Sequence, residues 1–199
     1  MTIYSAKRIL KESLPFALFL LTLSWITGSV LEDISYALIE EYIYLFVTLP
    51  IFLTSVGDIG CVFISRLTSH LHLGELSPSF KPYRVLFSNI FGITLTSIGY
   101  FILLSFLGYG IALISGVTIS IFQLLVVFLT AGLLTTSILY ILGIVVTMIA
   151  FKKGLDPDNF TSPLIANTGD MIGTLTLALL ITTFLISVSY THLTLPTKA

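Results

Sequence analysis

The feature that most constrains this chain is a succession of long apolar runs. Stretches with almost no charge recur five times, each reaching the roughly 18 residues a helix needs to cross about 30 Å of hydrocarbon. In lipid a backbone must satisfy its own hydrogen bonds, so such runs become helices. Composition agrees: of the 199 residues 56% are hydrophobic and only 10% charged, and the mean hydropathy is +1.06. A soluble domain carries about 25% charged residues, enough to cover its surface. The expected fold is therefore all-α, a polytopic membrane protein with five transmembrane helices. The net charge of −1 singles out no partner, and no nucleic-acid partner is expected. The single cysteine, Cys61, excludes an internal disulfide or a cysteine-cluster metal site within one chain, and reads as a small buried side chain.

The first span is expected over residues 14–31, with Pro15 in its first turn. Lys7, Arg8 and Lys11 precede it as in a signal peptide, but the run is long for one and no small-residue cleavage pattern follows. It reads as a retained span. Glu32, Asp33, Glu40 and Glu41 bracket an expected polar loop. A second span follows over 42–67, loosened or broken by Pro50 and by Gly57-Asp58-Ile59-Gly60. A connection holding His70, His72, Gly74, Pro78 and Pro82 leads to a third span at 85–107. Residues 108–116 read as an uncharged loop, 119–150 as the fourth span, and 161–188 as the fifth.

Residues 1–13 are thus a short N-terminal segment, 14–188 a five-helix domain, and the polar tail 189–199 reads as a cloning or sequencing scar. Five spans put the two ends on opposite sides. Lys7, Arg8, Lys11, Arg66, Lys81, Arg84, Lys152 and Lys153 all fall on one side, with Lys198 alone on the other. The positive-inside rule makes the N-terminus cytoplasmic and the C-terminus external, and the plasma membrane is the expected location.

Two carboxylates, Asp58 and Asp170, lie inside spans. A charge at membrane depth costs about 2.5–3.5 kcal/mol on insertion scales, so it is rarely there without a task. With Asp170 at zero on a helical wheel, Asn159, Pro163, Ala166, Asn167, Gly173 and Thr174 fall within about 60° of it, and Leu164, Ile165, Met171, Ile172, Leu175 and Leu179 lie well away. Around Asp58, Ser65, Ser69 and His72 share a face if helicity resumes after Gly60. The two sites echo each other, Pro50 preceding Asp58 as Pro163 precedes Asp170, each aspartate directly after a glycine. That is a weak sign of an internal repeat.

By chemistry alone protons, alkali ions and divalent ions all stay open, as does an aspartate that merely bonds helix to helix. The oxygen-rich surroundings suit a divalent ion best. Magnesium keeps several waters and is usually held by one or two carboxylates. Asp170, Asn167 and carbonyls loosened by Pro163 would serve such a hydrated ion. One chain supplies few ligands, so a symmetric dimer bringing two copies of Asp170 to an axis is expected. His70 and His72 are two apart, lack the i, i+4 spacing of a zinc pair, and read as residues of the membrane interface. The acidic residues 32, 33, 40 and 41 either draw cations to a pore mouth or solvate a loop.

The stretch Gly154-Leu155-Asp156-Pro157-Asp158-Asn159, continuing through Ser162-Pro163-Leu164 to Asp170, resembles the last span of the MgtE-type divalent-cation transporters. It looks closest to the branch shared by archaea and the eukaryotic solute carrier family 41. Gly57-Asp58-Ile59-Gly60, followed by Ser65-Arg66-Leu67-Thr68-Ser69-His70-Leu71-His72-Leu73-Gly74, is similar to that branch's second-span signature. The resemblance covers residues 14–188. It implies an MgtE membrane-domain-like protomer that dimerises, with itself or with a homologous half-protein, around a cation pore lined by spans two and five. The key pore aspartate falls on Asp170 and its neighbouring pore carbonyl on Ala166. With Asp58 and Asn167 these make up the candidate metal-binding set.

The implied activity is transport of a divalent cation, chiefly magnesium, through the lipid bilayer, with no resident cofactor and no enzymatic activity. Two departures stand out. The family usually has asparagine where Asp58 stands, in a Gly-Asn-x-Gly pattern. Its bacterial members carry large cytoplasmic sensor domains before the membrane region, whereas residues 1–13 alone precede the first span here. One alternative is a membrane-embedded, metal-dependent phosphatidyl-group transferase, which needs several aspartates in close register; Asp58 stands alone before Arg66. Another is a non-conducting partner subunit of a half-transporter pair.

Overall fold

In the computed structural model, residues 6–41, 43–78, 84–154, 157–181 and 183 are described, the side chains of 6–13, 33–41, 43, 44, 158 and 159 excepted. The described residues form five helices: α1 (Ala6–Glu41), α2 (Ile43–His72), α3 (Arg84–Ile114), α4 (Ile121–Lys152) and α5 (Pro157–Leu180). Each contains a stretch long and apolar enough to cross a membrane, and no strand occurs among the described residues. The expected all-α, five-span architecture is what the chain adopts.

The helix α2 is central. It packs along α3, α4 and α5, and α4 in turn packs on α3 and α5. The first helix stands outside this group, against α5 and the edge of α2. One apolar core gathers Phe52, Phe101, Phe128 and Leu177; a second gathers Phe63, Ile64, Leu139, Met148 and Ile165. Because lipid tails are as apolar as leucine, close fit rather than water exclusion holds such helices together. Glycines supply the fit. A methyl group on Gly132 would lie 2.3 Å from the Phe101 ring, and one on Gly143 2.5 Å from Ile64 Cδ1, so each glycine is a notch holding a bulky neighbour.

Several expected boundaries move. No loop separates Glu32 from Glu41, because α1 runs unbroken to Glu41. The acidic residues misled, since Glu, Ala and Leu favour helix and this segment holds no glycine or proline to stop one. The join between α1 and α2 falls at residue 42, outside the described residues. Nor does α2 break: it continues through Pro50, Gly57 and Gly60 to His72. Membrane helices tolerate an internal proline where neighbours compensate the freed backbone, and the two glycines allow close approach instead of a bend.

The helix α3 likewise passes Gly108 and ends only at Ile114, where an uncharged loop had been expected from 108. Gly108 faces Phe128 of α4 and Thr48 of α2, at 3.4 and 3.5 Å from the position of a methyl group. The true stop is Gly116, whose φ of +73° only glycine adopts freely. Ser120 then caps α4, accepting from the Phe122 amide while Gln123 accepts from the Ser120 amide. The fifth helix begins at Pro157, four residues before the expected start at 161, with proline in the first position where its missing N–H does no harm. Residues 184–199, including the whole tail read as a scar, lie outside the described residues.

Candidate functional site

The centre of the molecule is the crossing of α2 and α5, and glycine makes it close. A methyl group on Gly169 would lie 3.2 Å from the Gly57 Cα and 3.4 Å from the Gly57 amide nitrogen. One on Gly57 would lie 3.6 Å from both the Cα and the carbonyl oxygen of Ala166. Further along, Gly60 faces Ile165 of α5 and Gly173 faces Leu53 and Val56 of α2. Gly169 and Gly173 are thus a small-xxx-small pair of the kind that lets membrane helices meet backbone to backbone.

Each crossing glycine is followed by an aspartate. The two Gly-Asp pairs, 57–58 and 169–170, therefore meet in space through the contact of their glycines. The thiol of Cys61, one turn from Asp58 on α2, donates to the Ser162 carbonyl of α5 at 3.4 Å. It is half-buried rather than the fully buried small side chain expected from the sequence.

On α5, Ala166 and Gly169 face α2, whereas Asn167 faces α1, where it accepts a hydrogen bond from the Ser24 hydroxyl at 2.6 Å. Helical phase puts Asp170 between these two faces, over the seam where α1 and α2 flank α5. Asp170 is half-buried there, and among the described residues no side chain bonds its carboxylate. Thr174 donates to its backbone carbonyl at 2.8 Å. Of the expected set, Asp170, Ala166 and Asn167 thus share one stretch of α5. The side chain of Asn159 is outside the description.

Asp58 is placed differently. It belongs to an exposed stripe of α2 formed by Ile51, Thr54, Asp58, Val62, Ser65 and Ser69. It also touches two cavities between α2 and α3, of about 460 and 380 Å³. Tyr100 of α3, hydrogen-bonded to Ser55, walls the first of them. His72 is not part of this face: its Nδ1 donates to the Thr68 carbonyl at 2.9 Å and its ring packs edge-on against Phe151. His70 is bonded to Glu75. Both histidines are spent in tying the end of α2. Among the described residues no three carboxylate, histidine or thiol side chains gather into a closed metal cage.

Sequence reasoning took Cys61 for a small buried side chain and did not single out Tyr100. Cys61 stands one helical turn from Asp58, a signal that was present. Tyr100 is brought in only by tertiary packing.

A family model described as MgtE, divalent cation transporter, matches residues 49–180. The chain belongs to that family. The match begins just before Pro50 and ends with α5, so it contains both Gly-Asp pairs and the crossing between them. The MgtE family is one of transporters rather than enzymes, and with five apolar helices the chain is an integral membrane protein of that class. The phosphatidyl-group transferase reading finds no support in it. No curated protein matches the chain at a significant level.

Proposed function

We propose that this chain is one half of a symmetric MgtE-type pore that carries divalent cations, magnesium foremost, across the plasma membrane, with the N-terminus cytoplasmic. The observation that carries this reading is the exposed stripe of α2. Four of its six residues are polar and one is a carboxylate, and a helix face of that kind is not stable against lipid. A second copy of the chain, pairing stripe to stripe, removes it from lipid and sets two copies of each carboxylate around one axis. Like charges in such a setting repel strongly, and a divalent counter-ion relieves them. The open side of Asp170 supports the same arrangement. Oxygen ligands and space for water favour magnesium, and the second-span motif supports a place near the solute carrier family 41 branch.

Cysteine scanning tests the pairing. In a Cys61→Ala background, single cysteines at Thr54, Val62, Ser65 and Ser69 are expected to give disulfide-linked dimers on mild oxidation, while cysteines at the exposed α3 positions Phe91 and Leu103 give none. Absence of dimers from all four stripe positions sinks the reading. The transport assignment itself is tested by filling proteoliposomes with a magnesium-sensitive dye and comparing magnesium entry with that into protein-free vesicles.

Asp58 is where this chain departs from its family's usual asparagine, and its exposure on the stripe gives it a direct effect on the ion. Asp58→Asn is expected to leave the protein folded and to shift the ratio of magnesium to manganese flux, or the pH dependence of flux. The exchange is nearly isosteric, so a change in stability is not expected to obscure it. Unaltered selectivity and unaltered pH dependence together place Asp58 outside the conduction path.

A further inference from the structure

Between α2 and α3 a groove runs from the ends of both helices into the membrane-embedded part of the molecule. Its outer part, about 350 Å³, is walled by Arg66, His70, Arg84, Val85, Ser88 and Asn89. Its inner part, about 380 Å³, shares Arg66, Ser88 and Asn89 and continues along Val62, Gly92 and Thr96. The outer part is basic and the inner part mostly apolar.

Arg66 is held in place. Its Nε donates to Asn89 Oδ1 at 2.7 Å, and Asn89 Nδ2 donates to the Val85 carbonyl at 3.1 Å. That buried asparagine orients the guanidinium without neutralising it. Arg84 opens α3, and among the described residues no carboxylate pairs with either arginine. The acid nearest Arg84 in sequence, Glu75, is bonded to His70. Asp58 lies at the far end of the inner part, eight residues from Arg66 and so about 12 Å along the helix. The start of α3 adds the positive end of its dipole.

We infer that this groove binds an anionic phospholipid, its phosphate between Arg66 and Arg84 and an acyl chain against Gly92 and Thr96 on the α3 side, clear of the α2 stripe. Two guanidiniums beside the same cavity match a phosphate, whose oxygens they bind in pairs. The position suits a headgroup, since Arg66 stands six residues, or about 9 Å, from the end of its span. Free phosphate satisfies the outer part only. The inner part calls for a chain: Gly92 is exposed, and a methyl group there meets nothing within 4 Å, so the groove is open to an acyl tail.

The test is native mass spectrometry of delipidated protein after addition of phosphatidylglycerol or phosphatidylcholine of matched chains. Phosphatidylglycerol is expected to be retained about tenfold over phosphatidylcholine, in keeping with two basic contacts to an anionic headgroup. Arg84→Gln, at the exposed start of α3, is expected to lower that preference, and Arg66→Gln with Arg84→Gln to abolish it. Gly92→Leu fills the inner part and leaves both arginines intact; it is expected to weaken phosphatidylglycerol retention and leave binding of inorganic phosphate unchanged. Equal retention of the two lipids overturns the proposal. So does full retention in the Gly92→Leu protein, or displacement of the lipid by inorganic phosphate, either of which marks a free-anion site. Arg84→Gln keeps the test valid should loss of the Arg66–Asn89 bond impair folding.

Discussion

Replacing Asp170 with alanine is expected to reduce magnesium flux in proteoliposomes by about tenfold or more, the equivalent of losing one charge-assisted contact to the ion. Asn at the same position, which keeps the shape and one oxygen but not the charge, is expected to fall between parent and alanine. Stability separates this outcome from misfolding. No described side chain bonds the Asp170 carboxylate, so truncating it leaves no buried donor without a partner. A carboxylate at membrane depth is, if anything, a burden on the folded state. The alanine protein should therefore elute as the parent does on size exclusion and unfold at the same or a higher temperature. Parent-like flux in a protein of that stability removes Asp170 from the ion path.

The second large effect concerns the helix crossing itself. Gly169→Val is expected to destabilise the protein by about 1–3 kcal/mol, the usual result of forcing atoms into a packed contact, and to depress flux along with stability. Even the first carbon of the new side chain would stand 3.2 Å from the Gly57 backbone, and a backbone cannot rotate aside as a side chain can. Separation of α2 from α5 also carries the two Gly-Asp pairs apart. Gly99→Ala supplies the contrast: nothing lies within 4 Å of the added methyl group, so the substitution should be neutral or stabilising by up to about 1 kcal/mol through helix propensity. Thermal unfolding in detergent reads both. Equal effects at positions 99 and 169 would show that helix propensity, not contact, governs these glycines.

The five spans were legible because mean apolarity over twenty residues overwhelms every local preference. The small polar face around Asp170 was legible for a second reason, that helical phase is set by arithmetic. Ala166, Asn167 and Gly173 do lie on that side of α5. What phase could not reveal is who faces whom: Ala166 meets α2 while Asn167 meets α1, and those assignments arise from tertiary packing. Glycine was the systematic source of error. Read along the chain, Gly57, Gly60 and Gly108 resemble places where a helix yields. In the fold they are places where another helix approaches, and a single sequence holds no sign of which applies. The acidic residues from 32 to 41 erred in the same direction, charge being mistaken for a turn. Arg66 was visible only as a positive charge for orienting the chain, since its bond to Asn89 joins two helices.

One feature of the periphery bears on how the molecule opens. Among its described side chains, the outer helix α1 is tied to α5 by the Ser24–Asn167 hydrogen bond and by an edge-on contact between Phe16 and Phe160 with ring centres 5.3 Å apart. Trp25 remains 75% exposed. The free energy of local opening in a protein is set by such contact density and varies widely from one segment to the next. Weak contact of this kind makes α1 the segment expected to open most readily, and the residue it covers through Ser24 is Asn167, one turn from Asp170. The most easily disturbed seam of the bundle and the wall of the proposed ion site are then the same place.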